Sequence, residues 1–362
     1  MPRATVFTAS IGAGHDLPAE LVAAELRGDH GWEVDIVDAL ALAGGPIQRA
    51  ITGTTFESPL RNRLFDVEHR LLHDVAITHR IAGRLGELLA GRQVLRHVER
   101  ARPDVLISTY PGSTEVTGRL RRHGRLAIPC VAAITDLAAL RFWACRGIDL
   151  HLVTQAQSIP EVRAIAGRAT EICHVRGLSD PRFAMERLPS RTLARAHLAL
   201  PDDVPVAVVS GGGWAVGDLA GAAEAVLSAD PRARVLILCG TSEPRRAELT
   251  ARFTGEPRVR ALGFTDRMPD VLVAADALIH STAGLTVMEA LIVGCPVISY
   301  GWGVGHIRAN NAAFAAHGLA TVVRDRAGLG SAVLDAFAHP GRPDPSFAML
   351  PTAAAVIARR YG

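Results

Sequence analysis

The chain has 362 residues, 49% of them hydrophobic and 21% charged, with 39 basic and 36 acidic side chains. This length suits about two domains, the hydrophobic share excludes a disordered chain, and the balanced charge does not indicate a nucleic-acid-binding protein. Every basic residue is arginine, which excludes lysine-dependent mechanisms, and the five scattered cysteines contain no C-x-x-C pair that would indicate a zinc ribbon or a redox site.

Short apolar runs alternate with longer amphipathic stretches along the chain. The runs predict strands at Thr5–Ala9, Glu33–Val37, Val105–Ser108, Val131–Thr135, Leu150–Val153, Val206–Ser210, Val235–Cys239, Arg258–Leu262, Ala277–Ile279, Val297–Tyr300 and Ala320–Val323. Helices are predicted between most of them, including Pro18–Arg27, Leu219–Ser228 and Thr286–Val293. This alternation predicts an α/β fold with parallel sheets.

The segment Gly177–Pro189 is dense in glycine and proline, and the strand–turn–helix pattern restarts after it. We therefore predict an N-terminal domain over 1–178 and a C-terminal domain over 179–342. The segment 343–362 carries a final helix that we expect to pack back on the first domain. Two doubly wound, Rossmann-like domains with a cleft between them would place ligands at the carboxyl ends of the strands.

The segment Arg61–Arg102 is different, because it is long, helical and rich in leucine, arginine and histidine. Its apolar residues include Leu71, Leu72, Ile81, Leu85, Leu88 and Leu89, and its basic ones include Arg70, Arg80, Arg84, Arg92, Arg96 and Arg100. One interpretation is a peripheral membrane face for anionic lipid. The other is an ordinary amphipathic helix pair with its arginines in solvent.

The turn Ser10–His15 follows the first strand and contains two glycines that let the backbone approach a ligand. His15 would lie at a helix start, where the positive end of the helix disfavours the imidazolium. A neutral ring suits a general base, whereas the alternative is a histidine that merely caps the turn.

Three further turns are candidate ligand sites. Ser210–Gly217 holds Gly212, Gly213 and Trp214, and its three consecutive glycines expose amides to a phosphate or sugar; the alternative is a tight loop. His280–Leu291 ends a strand with small residues and begins a helix, which predicts an anion site with Glu289 placed for a ribose. Leu262–Pro269 offers Gly263 and Phe264 for a flat base, although such a pair taken alone is more often plain turn and core packing.

Together these turns resemble the monogalactosyldiacylglycerol synthase branch of the two-domain (GT-B) UDP-sugar glycosyltransferases, with the peptidoglycan N-acetylglucosaminyltransferase as a more distant relative. The resemblance covers nearly the whole chain. It is carried by SIGAGH, RPDVLISTYP, ITDLAALRFW, LALPDDVPVAVVSGGGWAVG, VRALGFTDRMPDVLVAADALI, AGLTVMEAL and GCPVISY.

The resemblance implies a role for each matching residue. In the donor site, Phe264 and the backbone at Gly263 would hold uracil, Ala283, Gly284, Leu285 and Thr286 the diphosphate, and Glu289 the ribose. Gly212, Gly213, Trp214 and Met268 would also belong to the donor site. In the acceptor site, Gly12, Ala13 and Gly14 would form the loop, His15 would be the base, and Asp136 would support the acceptor site as a further catalytic residue. The family inverts the anomeric carbon without a metal or cofactor, since the UDP-sugar is a co-substrate, and this chain has no D-x-D triplet.

Two departures from the family pattern concern the donor. Many relatives carry glycine where this chain has Ala283, and galactosyl-transferring relatives place Gln and Glu where it has His306 and Ile307. An isoleucine cannot accept a hydrogen bond from a sugar hydroxyl, so we expect a sugar other than galactose. His306 or Arg308 would then meet the diphosphate or a carboxylated or modified sugar, and Asn310 is a further expected donor residue.

The expected function is therefore an inverting hexosyltransferase that moves a sugar from UDP to a hydroxyl of a lipid or specialised-metabolite acceptor. No nucleic-acid partner is expected. Without a bilayer-spanning run or a signal peptide, the protein is expected in the cytoplasm or at the inner face of the plasma membrane. Two rival functions remain: a UDP-sugar 2-epimerase, whose paired acids are not evident, and a non-catalytic nucleotide-sugar-binding subunit, which would not need the histidine of SIGAGH.

Overall fold

The computed structural model describes residues 1–10, 13–45, 48, 76–176, 178, 181–282, 284–301, 303, 305–343 and 345–362. The chain forms two compact units. The first comprises Met1–Leu178, a short stretch ending at His306, and Leu350–Gly362; the second comprises Ser179–Gly303 and Ile307–Met349. The predicted boundaries 178/179 and 342/343 thus compare with 178/179 and 349/350 in the structure.

The first unit is built on a six-stranded parallel sheet. Its strands are β1 (Arg3–Thr8), β2 (Glu33–Asp38), β3 (Val105–Ser108), β4 (Cys130–Ile134), β5 (Leu150–Val153) and β6 (Glu171–His174), in the order β2-β1-β3-β4-β5-β6. The helices are α1 (Ala13–Gly28), α2 (Ala39–Ala43), α3 (Ala76–Ala101), α4 (Pro111–Arg122) and α5 (Ile159–Ala166). Every residue of β3, β4 and β5 is buried, because helices cover both faces of such a sheet.

The second unit repeats this plan. Its strands are β7 (Val206–Ser210), β8 (Arg234–Leu238), β9 (Val259–Leu262), β10 (Ala277–His280), β11 (Val297–Tyr300) and β12 (Thr321–Val323), in the order β12-β11-β10-β7-β8-β9. The helices are α6 (Arg191–His197), α7 (Leu219–Ala229), α8 (Glu243–Arg252), α9 (Met268–Ala274), α10 (Leu285–Ile292), α11 (His306–Ala316), α12 (Arg326–Ala338) and α13 (Ser346–Met349). All pairings are parallel, so the carboxyl ends of the strands share one edge of each sheet.

The C-terminal helix α14 (Ala353–Tyr361) returns to the first unit. Arg176 donates its N–H to the carbonyl of Pro351 at 2.8 Å, and Thr352 contacts Glu25 on α1. Ala354 and Ile357 are fully buried in the core that α1 and β1 form. The segment 343–349 instead belongs to the second unit, where the backbone of Arg342 and Pro343 lies against Gly294.

The elements differ from the sequence prediction in three places. Strand β6 was missed, because its sequence EICH has little β-branched content and its side chains are only partly buried. Helix α1 begins at Ala13 rather than at Pro18, so His15 lies inside its first turn. Helix α3 covers only the part of Arg61–Arg102 that begins at Ala76; residues 61–75 lie outside the described residues. Among the helices that the structure describes, none is long and apolar enough to cross a bilayer.

Candidate functional site

His15 is held by the backbone of the neighbouring strand. Its Nδ1 lies 3.0 Å from the carbonyl oxygen of Thr109, which directly follows β3. A carbonyl can only accept a hydrogen bond, so Nδ1 carries the proton and Nε2 holds the lone pair in the neutral ring. Thr109 is itself fully buried and bonded to the carbonyls of Phe7 and His15. The fold thus fixes the tautomer that a general base requires.

Two aromatic rings and a carboxylate surround this imidazole. The ring of Tyr110 meets it edge-on at a centroid distance of 5.3 Å, and that of Trp143 lies 5.8 Å away. The indole N–H of Trp143 donates to Oδ2 of Asp136 at 2.8 Å, and Asp136 follows β4 at the same sheet edge. Sequence reasoning selected His15 and Asp136 but missed Thr109, Tyr110 and Trp143. Thr109 and Tyr110 directly follow β3, and this position at a strand end is the signal that could have indicated them, whereas Trp143 lies well beyond the end of β4.

Burial lowers the pKa of His15 below its ordinary value of 6.5. Asp136, the carbonyl of Thr109 and Asp16 act in the opposite direction, and the charge of His306 adds to the lowering. The neutral ring was predicted from the helix dipole, but burial is the larger cause. The imidazole is therefore available as a proton acceptor at neutral pH.

In the second unit, two helices begin at the carboxyl edge of the sheet but differ at their first residues. The N-terminus of α7 is closed, because the carboxylate of Asp218 accepts the N–H of Gly221 at 2.9 Å. The N-terminus of α10 begins at Gly284, and no described side chain caps it. The first N–H groups of a helix lack partners within the helix and attract anions. The predicted diphosphate residues Leu285 and Thr286 thus begin an open helix, while Ala283 lies outside the described residues.

The glycine-rich turn after β7 packs against the loop that leads to α10. Gly212 has φ of +68°, and a Cβ there would lie 3.1 Å from the hydroxyl of Thr282. Gly217 has φ of +99°, and its Cβ would approach Ser281 within 2.8 Å. Glycine is therefore required at both positions. The indole of Trp214 is 49% exposed at this edge, so it is not a core residue.

Glu289 is buried on the second turn of α10, with 5% of its surface exposed. Glu289 is therefore not a solvated residue on the helix surface. A buried carboxylate is retained where it has hydrogen-bonding partners. Asn310, a predicted donor residue on α11, is also buried.

A cavity of about 370 Å³ lies beside β9 in the second unit. It is lined by His197, Leu198, Ala199, Arg260, Leu262, Gly263, Phe264, Thr265 and Arg267. Phe264 is 73% exposed, so its ring is available for stacking rather than used in the core. The two predicted base-binding residues, Gly263 and Phe264, line this cavity. Met268, another predicted donor residue, is the first residue of α9.

The remaining predicted residues have different surroundings. His306 groups with the first unit and acts on His15, whereas Ile307 packs against the backbone of Gly303 in the second. Arg308 is partly buried on α11. In the acceptor loop, Gly12 lies outside the described residues, Ala13 begins α1, and Gly14 has open space where a Cβ would stand.

Two family models match the chain. The model for monogalactosyldiacylglycerol (MGDG) synthase matches residues 46–178, and the model for glycosyl transferases group 1 matches residues 213–339. Each falls largely in one of the two units.

Two curated proteins named as diacylglycerol glycosyltransferases or synthases are similar in sequence to this chain. MGDG synthase 1 of Arabidopsis thaliana is 26% identical over 332 residues, which cover 85% of this chain and 60% of the relative. Processive diacylglycerol beta-glucosyltransferase of Bacillus subtilis is 24% identical over 242 residues, covering 66% of this chain and 60% of the relative. The chain thus spans about 60% of the length of these relatives.

Solved structures share the fold across the chain. The spinosyn rhamnosyltransferase SpnG, complexed with thymidine diphosphate, has a TM-score of 0.64 at 16% identity and covers 99% of both chains. MurG of Acinetobacter baumannii has a TM-score of 0.54 at 15% identity and covers 100% of this chain and 99% of its own. Two parallel six-stranded sheets with these neighbours define the GT-B fold of glycosyltransferases, which confirms the predicted fold class. Within that fold class, the chain is similar in sequence to MGDG synthase in both comparisons, as the motifs indicated.

Proposed function

We propose that the protein transfers a sugar from a UDP-sugar to a hydroxyl of a lipid acceptor, with inversion and without a metal ion. The observation that carries this proposal is the fixed tautomer of His15, whose Nδ1–H is bonded to Thr109 so that Nε2 can accept a proton. A relationship to proteins named as lipid glycosyltransferases supports the reaction class.

The donor would bind to the second unit. Its diphosphate fits the open N-terminus of α10, where backbone N–H groups and the helix dipole stabilise negative charge. The buried carboxylate of Glu289, just over one turn further on, suits the ribose hydroxyls. The exposed ring of Phe264 and its adjoining cavity suit a pyrimidine base.

The reaction would be a single displacement. Nε2 of His15 takes the proton of the acceptor hydroxyl while the oxygen bonds to the anomeric carbon. The bond from that carbon to the diphosphate oxygen breaks, and its electron pair leaves with UDP. Attack opposite the leaving group inverts the anomeric carbon. Preorganised N–H donors at the leaving group supply the charge stabilisation that a metal provides elsewhere.

A membrane would present the lipid acceptor, and α3 offers a surface for it. Five apolar side chains repeat at helical spacing on its exposed side: Ile77 (65%), Ile81 (61%), Leu85 (53%), Leu88 (75%) and Leu89 (45%). We call these five residues the α3 stripe. Exposed arginines flank it at positions 80, 84, 92 and 96. An apolar stripe edged by cations suits the surface of an anionic bilayer.

The opposite side of α3 explains why the stripe faces outwards. Glu87 is buried against α4, where it accepts from Arg119 at 3.3 Å and from His123 at 3.0 Å. Gly83 packs where a Cβ would overlap Glu115 of α4. These contacts fix the rotation of the helix, so the stripe cannot turn into the core of the unit.

Thermal unfolding with UDP, dTDP, GDP and several UDP-sugars tests the donor, followed by product analysis with diacylglycerol. A ligand at 100 times its Kd stabilises the folded state by about 2.7 kcal/mol, which is readily measured. We expect UDP to stabilise most among the nucleotides and a UDP-sugar other than UDP-galactose to be consumed only with acceptor. Consumption without acceptor would favour a 2-epimerase, and binding without consumption a non-catalytic subunit.

A further inference from the structure

Trp143 connects the two groups on which the proposed chemistry depends. Its indole Nε1–H donates to Oδ2 of Asp136 at 2.8 Å, and its ring lies 5.8 Å from that of His15 at an interplanar angle of 45°. The side chain is 2% exposed, so it is fixed by the surrounding core. One buried residue therefore contacts both the carboxylate and the imidazole.

Asp136 does not act on His15 as the carboxylate of a Ser-His-Asp triad does. In that arrangement the carboxylate binds Nδ1–H, but here Nδ1–H is bonded to the carbonyl of Thr109. Asp136 must therefore influence the ring through its charge, which depends on where the carboxylate is held. Asp136 is only partly buried, and a carboxylate without a holder would turn towards water.

Among the groups that face the His15 ring, Asp136 is the one that most stabilises a positive charge on the imidazole. Three other groups also face the ring. They are Asp16 on the same helix, Tyr110 after β3, and His306. Asp16 accepts the hydroxyl of Thr8 at 2.8 Å. Burial, with the nearby charge of Asp38, raises the pKa of Tyr110 to about 12, so its phenol stays neutral. His306 opposes a positive charge on the ring.

We propose that Trp143 is a positioning residue, whose indole N–H holds Asp136 next to His15 so that the imidazolium formed during proton transfer is stabilised. The proposal rests on the proposed function for the source of the proton. The coupling itself belongs to the resting protein and can be measured without any substrate.

The test is an NMR titration of His15 in the wild type, Trp143→Phe, Asp136→Asn and the double variant. The His15 resonance is assigned by its loss in His15→Gln. Phenylalanine keeps an aromatic ring but removes the N–H. We expect Asp136→Asn to lower the His15 titration midpoint by about 1 pH unit, the lower end of what a close opposite charge produces. Trp143→Phe should lower it in the same direction, and the double variant no further than Asp136→Asn.

An unchanged midpoint in Trp143→Phe, with a lowered one in Asp136→Asn, would overturn the proposal. An unchanged midpoint in Asp136→Asn would overturn it as well. If Trp143→Phe does not fold, the indole N–H resonance of Trp143 tests the hydrogen bond to Asp136 instead. In Asp136→Asn this resonance should move upfield and its proton should exchange faster with solvent. An unchanged indole resonance in Asp136→Asn would count against the hydrogen bond. Where transfer can be assayed, the acid limb of kcat should follow the midpoint. Intact coupling in a protein that transfers no sugar would count against the proposed function alone.

Discussion

At the scale of single residues, the reactivity of His15 depends on a backbone carbonyl 94 positions away in the sequence. His15→Ala should lower kcat by about 10²–10⁴-fold, the usual contribution of a general base, and leave the Kd for UDP within about twofold, since the proposed donor groups are on the second unit. Single-turnover rates and calorimetric titration measure the two quantities. His30→Gln, an exposed histidine in the turn after α1, is the control. A kcat equal to that of the control would remove His15 from the mechanism.

The proposed role of Glu289 in holding the ribose can be tested with two ligands, UDP and 2′-deoxy-UDP. Hydrogen bonds to a charged group contribute about 1.5–3 kcal/mol, so Glu289→Gln should weaken UDP binding by about 10–100-fold. Wild-type protein should bind 2′-deoxy-UDP less tightly than UDP, and the variant should bind both about equally. The exposed Glu99→Gln is the control. A variant that still prefers UDP over its deoxy analogue would show that Glu289 does not hold the ribose.

Residues differ in how far the sequence could reveal them. His15 and Glu289 stand in local patterns of glycine, small residues and helix starts, which a sequence displays directly. Thr109 and Trp143 contact His15 from distant parts of the chain, and nothing near them in the sequence indicates His15 as their partner. Long-range side-chain contacts follow from sheet order, which the sequence alone did not predict.

At the scale of elements, a substitution can give the N-terminus of α10 the side-chain cap that α7 already has. Gly284 has φ of −114°, and a Cβ there meets no atom within 4 Å, so other residues fit without strain. Gly284→Asp would add the cap that Asp218 gives to α7. We expect folding stability to rise slightly, by a few tenths of a kcal/mol, while UDP binds at least about tenfold more weakly because the carboxylate repels the diphosphate.

Two neutral substitutions separate charge from shape in this experiment. Gly284→Ala tests the loss of glycine, and Gly284→Asn adds a neutral cap of the same size as aspartate. Calorimetric titration with UDP and urea unfolding are measured for all three variants. Equal UDP affinity in Gly284→Asp and wild type would exclude the start of α10 as the diphosphate site.

The α3 stripe gives a second prediction for an element. Leu85→Glu with Leu88→Glu places two anions in the stripe, so flotation with anionic phosphatidylglycerol vesicles at low salt should fall to background. Wild-type flotation should weaken as salt is raised, since the flanking arginines are screened. Leu334→Glu on α12, where leucine is 47% exposed in the second unit, is the control. Wild-type protein that does not float at low salt would remove the membrane proposal.

Most elements followed from periodicity, because buried parallel strands are nearly uninterrupted apolar runs. Strand β6 did not, since EICH lies at the sheet edge and is only partly covered. The start of α1 was also misplaced. Proline predicts a first-turn position, but Pro18 lies deeper in the helix, and the carbonyl it leaves without an N–H partner is four residues earlier, at Gly14.

At the scale of the whole molecule, each unit contains a histidine buried in its sheet. Burial lowers the pKa of His151 on β5 to about 4 and that of His280 on β10 to about 3. In β5, Nε2 of His151 accepts the N–H of Cys145 at 3.3 Å, so its Nδ1–H faces the hydroxyl of Thr170 at 3.0 Å. The folded protein therefore holds a neutral ring that the unfolded chain would protonate below pH 6.5.

This difference fixes the direction of the pH dependence. The unfolded chain binds more protons between pH 6.5 and the folded pKa, so stability is complete above pH 6.5 and falls as the pH decreases. Between pH 7.5 and 5, each histidine should cost its unit about 2 kcal/mol, which is about 1.36 kcal/mol for each pH unit below 6.5. Compact domains can in general unfold as separate cooperative units, so we expect hydrogen exchange resolved by peptide mass to show protection falling in both units.

His151→Gln separates the two contributions, because glutamine offers an amide oxygen to the N–H of Cys145 and does not titrate. The variant should be less stable than wild type at pH 7.5, where it lacks the bond to Thr170. Its first unit should nevertheless lose about 2 kcal/mol less than that of the wild type between pH 7.5 and 5, while the second unit, which contains His280, should respond as before. An unchanged pH dependence in the first unit would mean that His151 gains a proton without unfolding. In that case β5 must open locally to solvent, and the acid sensitivity of the first unit must come from other groups.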